Sequence, residues 1–111
     1  MTNAVIAGPA DTLAAALRSA GHEGPVLIVA DAGTIGRDAT AWGRSFAAVG
    51  WKHRVRRSEG PADPHETDAL AAEVTSLGGR TLVAAGGEAT LAAARAAAAR
   101  TNTPCVVLTP P

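Results

Sequence analysis

Short apolar runs bounded by glycine, proline or aspartate alternate along this chain with longer segments in which apolar residues recur every three or four positions. The clearest run is "VLIVA", Val26 to Ala30, which follows Gly24-Pro25 and stops at Asp31. A continuous β-branched and apolar run with such punctuation predicts a strand buried on both faces. The same reading predicts strands at "AVIAG" (4–8), at "WKHRVRR" (51–57) toward the sheet edge, from Thr81 to Ala85 and from Cys105 to Leu108. Between them fall four helices. The first, in "PADTLAAALRSAG", has Asp11 as its cap and Leu13 and Leu17 four apart, and it ends at Gly21. The second spans 37–50 with Trp42, Phe46 and Val49 in phase. The third lies in "HETDALAAEVTSLGG" with Leu70, Val74 and Leu77 on one side, and the fourth runs from about 88 to 100. The order β-α-β-α-β-α-β-α-β with short connections predicts a three-layer αβα fold, Rossmann-like, with a parallel sheet of about five strands. Ligands are then expected at the carboxyl ends of the strands, here Asp31 to Gly36, Ser58 to Asp63, Gly86 to Thr90 and Thr109 to Pro111.

At 111 residues the chain is read as one domain over 1–111. Ten basic residues balance ten acidic ones, which excludes charge-driven attraction to nucleic acid or an anionic membrane. No uncharged apolar run approaches the roughly 18 residues of a spanning helix, and "MTNAVIAGPAD" lacks the basic start of an export signal. The lone Cys105 lies in an apolar run and has no internal disulfide partner, so a reducing, cytoplasmic location is expected. Alanine dominates the apolar share of 47%. Alanine lets helices lie close to a sheet but buries little area per residue, so burial of one face against a homo-oligomer or a partner chain is expected.

The stretch Gly86-Gly87-Glu88-Ala89-Thr90 supports two readings. Adjacent glycines after a buried strand allow a sharp turn and close backbone approach, and the N–H groups opening the next helix suit a phosphate. Glu88 places a carboxylate in the first helical turn, where it favours the helix dipole and repels a pyrophosphate, so a plain strand-to-helix turn is the other reading. Asp31 ends the second strand, where an acid can accept from a ribose diol and favour an unphosphorylated 2′-hydroxyl; it can equally be a turn or cap residue. Gly33-Thr34-Ile35-Gly36 is too short for a GxGxxG fingerprint. In "WKHRVRR", alternation puts Lys52, Arg54 and Arg56 on one face and His53, Val55 and Arg57 on the other, as a phosphate grip or as a charged edge that resists aggregation. His22, His53 and His65 lack metal-ligand spacing, and no GxSxG elbow, Walker lysine or Ser/His/Asp set is present, so no catalytic or metal residue is expected.

Taken together, "VIAGPADTLAAAL", "VLIVAD", "PADPHETDALAAEV" and "GGEATLAAARAAAARTNTPCVVLTPP" resemble the N-terminal nucleotide-binding half of the iron-containing alcohol dehydrogenase and dehydroquinate synthase-like superfamily, nearest to its maleylacetate reductase branch. In that family a strand ends in aspartate, a later strand runs into GGGS and a helix, and a proline precedes the last strand and a threonine-rich loop. The resemblance implies NAD laid along the strand ends. It places Asp31 at the adenosine ribose, the backbone of Gly86, Gly87, Glu88, Ala89 and Thr90 at the pyrophosphate, and Thr109 near the nicotinamide. Glu88 stands where the family has a third glycine, Ala89 where it has serine and Ala92 where it often has aspartate. The family's metal ligands belong to a further helical domain, so this chain is expected not to be catalytic on its own: it is either completed by a partner chain into a metal-dependent NAD(P) oxidoreductase or reduced to binding. Two other readings stand beside this one: a protein-interaction module that kept the fold and lost the ligand, and a small-molecule kinase-like domain, since GGEAT is similar to the GGDGT of the diacylglycerol and NAD kinase group. The aminoimidazole ribonucleotide mutase type shares the alanine-rich helix, but its serine-alanine-histidine-arginine loop has no counterpart in "SEGPADP".

Overall fold

A computed structural model describes residues 3–60 and 63–109. Five strands, β1 (Asn3–Ala7), β2 (Val26–Ala30), β3 (His53–Arg57), β4 (Thr81–Ala85) and β5 (Cys105–Thr109), alternate with four α-helices. The helices are α1 (Leu13–Ser19), α2 (Ala32–Val49), α3 (Pro64–Leu77) and α4 (Glu88–Thr101), and a 3₁₀ turn at Ala10–Thr12 leads into α1. All strand pairs are parallel and the sheet order is β1-β5-β4-β2-β3. The expected Rossmann-like three-layer αβα architecture is therefore the one observed. Pro110, Pro111 and part of the 58–64 loop, which the sequence placed at strand ends, lie outside the described residues.

The chain runs outward from β1 to β2 and β3 and then returns through β4 to β5. Because parallel crossovers keep one hand, the outgoing helices and the returning ones must cover opposite faces. They do. Leu13, Ala14 and Leu17 of α1 and Trp42 and Phe46 of α2 pack on Val26, Ile28, Val83 and Val106. On the other face Leu70 and Val74 of α3 and Ala93, Ala94, Ala97 and Ala98 of α4 pack on Leu27, Val29, Leu82 and Cys105. Every residue of β2 and β4 is buried, which explains why both are unbroken apolar runs. The four fully buried alanines let α4 sit close over the sheet, and Cys105 is buried beneath it, where burial pushes its thiol pKa up.

β3 is an edge strand, and its alternating charge is absorbed within the fold. Arg54 and Arg56 both reach Glu73 of α3, and Arg56 also reaches Glu66. On the opposite face His53 stacks on Phe46 with ring centroids 4.8 Å apart, and burial lowers its pKa. Two helix starts differ from expectation. Asp11 lies inside the 3₁₀ turn rather than capping α1, whose Ala14 N–H instead donates to the Ser45 hydroxyl of α2 at 2.8 Å. α2 begins at Ala32 rather than at 37, because Asp31 caps it and the capping bond outweighs the low helix propensity of Gly33 and Gly36.

Candidate functional site

β2 and β4 are neighbours, yet α2 leaves β2 toward one face while α4 leaves β4 toward the other. Divergence of this kind opens a crevice beyond the carboxyl ends of the strands, where open α/β sheets bind ligands. A cavity of about 460 Å³ lies there, and Gly8, Asp31, Thr34, Arg37, Gly86 and Thr109 are among its walls. It is thus built from the ends of β1, β2, β4 and β5 and from the first turns of α2.

Asp31 organises the crevice. Its Oδ1 accepts from the Thr34 N–H at 2.8 Å, the N-cap bond of α2. Its Oδ2 accepts from the Gly87 N–H at 3.2 Å, so one carboxylate ties the start of α2 to the start of α4. The Thr34 hydroxyl foremost, then the Thr34 N–H and the Gly87 N–H, hold the Asp31 pKa below its ordinary value, and the group stays anionic at neutral pH. Close approach of the two turns explains Gly86. A Cβ there would lie 2.6 Å from Asp31 Oδ2, and φ is +146°, a conformation that side chains disfavour. Gly87, with φ −77°, has open space where its Cβ would be.

Of the residues the sequence singled out, Asp31, Gly86 and Thr109 line the same cavity. Gly87 adjoins it through the bond to Asp31 and is the N-cap of α4, which has no side-chain cap. Glu88 and Ala89 are exposed in the first turn of α4. Thr90 is buried, and its hydroxyl donates to the Ser58 carbonyl at 2.7 Å, which pins α4 to the end of β3. Thr109 Oγ1 lies 3.4 Å from the Ile6 carbonyl of β1.

Arg37 lies outside the strand-end segments to which the sequence pointed, and Thr34 and Glu59, inside them, take roles that the sequence did not assign. Thr34 and Arg37 enter the cavity wall because α2 starts early; the spacing of Asp31 to Thr34, N-cap to third helical residue, was the available signal. Glu59, from the loop after β3, accepts the Ala32 N–H at 3.1 Å and also contacts Arg57, and the Ala32 bond foremost lowers its pKa. The N-terminus of α2 is therefore capped by two carboxylates of the protein itself. Among the described residues no three histidine, cysteine, aspartate or glutamate side chains converge to hold a metal ion. No helix of the described residues is long and apolar enough to cross a membrane.

The chain matches solved structures of dehydrogenases and a reductase over nearly its whole length. A probable glycerol dehydrogenase from Sinorhizobium meliloti 1021 superposes with a TM-score of 0.75 at 23% identity, covering 97% of this chain and 28% of that one. Maleylacetate reductase from Agrobacterium tumefaciens gives 0.75 at 20% identity, covering 99% and 31%. The NADH-dependent butanol dehydrogenase A from Thermotoga maritima gives 0.70 at 16% identity, covering 87% and 25%. The fold of this chain is the fold of one part of these proteins. The chain spans about 30% of the length of such a relative. No protein-family model and no curated protein sequence matches the chain.

Proposed function

We propose that this chain is a dinucleotide-binding domain of dehydrogenase type, which takes NAD in the crevice between the ends of β2 and β4. The observation that carries the reading is convergence: Asp31, Gly86 and Thr109, from three strands, line one cavity at the point where the helices diverge. The residues fit such a ligand. Gly86 is exposed at the cavity wall with no side chain to block it, and the N-cap residue of α4, Gly87, supplies no side-chain cap of its own. Asp31 lies at the cavity wall and is only partly buried, so its carboxylate is open to a ribose hydroxyl. Its charge disfavours a 2′-phosphate, so NAD is preferred over NADP. Thr109 lies toward the nicotinamide in this reading.

NAD itself supplies the capacity to accept or donate hydride; this chain's residues bind it, orient it and shield one side of it. The groups that act on a substrate come from another polypeptide segment or a partner chain, as befits a domain about 30% the length of the dehydrogenases it resembles in fold. Thermal unfolding with NAD, NADP, ATP and ADP at millimolar levels tests the proposal. At a hundred times its dissociation constant NAD stabilises by about 2.7 kcal/mol, and a flat panel would sink the reading.

One observation favours a second reading, an interaction module that no longer binds a nucleotide. The Gly87 N–H, a donor that a pyrophosphate would use, already serves Asp31. Co-purification of a stable partner together with a flat nucleotide panel would support this alternative.

A further inference from the structure

A dinucleotide brings two phosphate charges into the crevice, and the main-chain donors there are partly committed. Asp31 takes the Gly87 and Thr34 N–H groups and Glu59 takes that of Ala32. Asp31 and Asp38 both line the cavity and add negative charge. A positive charge must be supplied for a phosphate to settle, since like charges a few ångströms apart near a protein surface repel. Among the described residues that line the cavity, Arg37 is the one cation.

The geometry of Arg37 suits that task. A guanidinium presents two donor edges. Asp38 holds one of them, with Nε 3.2 Å from both carboxylate oxygens and Nη2 3.0 Å from Oδ2. The outer edge, formed by Nη1 and the second hydrogen of Nη2, has no partner among the described residues, and the side chain is 63% exposed. An ion pair with an adjacent residue on the same helix thus orients the group without exhausting its donors. We propose that Arg37 is the phosphate-reading residue of the crevice, its outer guanidinium edge taking a phosphate of the bound nucleotide while Asp38 positions it. This rests on the dinucleotide reading above and assigns the charge recognition of that site to α2 in place of the glycine turn at α4.

The test is calorimetric binding of NAD and of adenosine, which lacks phosphate, to the wild-type chain, Arg37→Ala and Arg37→Lys, each at low and high salt. Arg37→Ala should weaken NAD about tenfold or more, flatten the salt dependence and leave adenosine within about twofold. Arg37→Lys should restore part of the NAD affinity, since charge returns without the fork. Equal weakening of NAD and adenosine, or no change in either, overturns the assignment and leaves the dinucleotide reading standing. A wild-type chain that binds neither overturns both. One that binds adenosine but not NAD overturns the role of Arg37 and reduces the site to a nucleoside pocket.

Discussion

Gly86 and Gly87 are adjacent and chemically identical, yet the structure predicts that alanine is tolerated at one and not at the other. At Gly86 a methyl group would stand 2.6 Å from Asp31 Oδ2 and 3.0 Å from its Cγ, on a residue with φ of +146°. The backbone conformation alone costs a non-glycine residue about 1–3 kcal/mol. Pushing the carboxylate aside also strains or breaks its bond to the Gly87 N–H, and a hydrogen bond to a charged group contributes about 1.5–3 kcal/mol. Asp31 is partly exposed, so the lower end of that range applies. Gly86→Ala should therefore destabilise by about 2.5–4.5 kcal/mol. At Gly87, φ is −77° and nothing lies within 4 Å of the added carbon. There the loss of a favourable N-cap glycine and the reduced entropy of the unfolded chain nearly offset, so Gly87→Ala should stay within about 1 kcal/mol. Urea unfolding followed by the fluorescence of Trp42 and Trp51 measures both. Asp31→Ala supplies the control, because trimming the carboxylate relieves the collision but not the backbone strain. The double mutant should thus show a coupling of about 1 kcal/mol or more. Equal effects at the two glycines, or strict additivity with Asp31→Ala, would refute the account of this turn.

Asp31→Asn should lower stability by about 1–2 kcal/mol at neutral pH, since an amide cannot accept from both Thr34 and Gly87. The native pKa of Asp31 lies below its ordinary 3.8, so its contribution is fully present above that pH and is lost as pH falls through the native value. Unfolding curves of the two proteins should accordingly converge below about pH 3.8 and stay apart between pH 5 and 8. Ser45→Ala should cost about 1–3 kcal/mol, with an unchanged m-value, by orphaning the Ala14 N–H. Thr90→Val should cost about 1–2 kcal/mol through the lost bond to the Ser58 carbonyl, and should leave NAD affinity unchanged in calorimetry because Thr90 is buried away from the cavity wall.

The layers and the parallel sheet were legible because strands buried on both faces must be continuous apolar runs, as in Val26 to Ala30 and Thr81 to Ala85. The helix phases of Leu13 with Leu17 and of Leu70 with Val74 were legible for the same kind of reason, and both pairs are buried. Strand order was not. Nothing local in the sequence says that β1 pairs with β5 across more than a hundred residues, and it is this order that sets β2 beside β4 and opens the crevice. The start of α2 was obscured by Gly33 and Gly36, which look like loop residues until the Asp31 cap is considered, so Thr34 was read as part of a strand-end loop and Arg37 as outside the site. The Ser45 bond to Ala14 joins residues 31 apart and follows only from packing of α2 on α1. Asp31 and Gly86 were readable as site residues one at a time, but their mutual dependence, carboxylate against missing Cβ, is a property of the fold.

The central claim is that a dinucleotide occupies the crevice between the ends of β2 and β4. Titration of the uniformly ¹⁵N-labelled chain with NAD, followed by amide chemical shifts, tests it residue by residue. The account predicts saturable shifts concentrated at Gly8, Asp31, Thr34, Arg37, Gly86 and Thr109, with the amino ends of the strands near Trp51 and Arg80 undisturbed. Shifts centred at that opposite end, or no shifts at millimolar NAD, would contradict it.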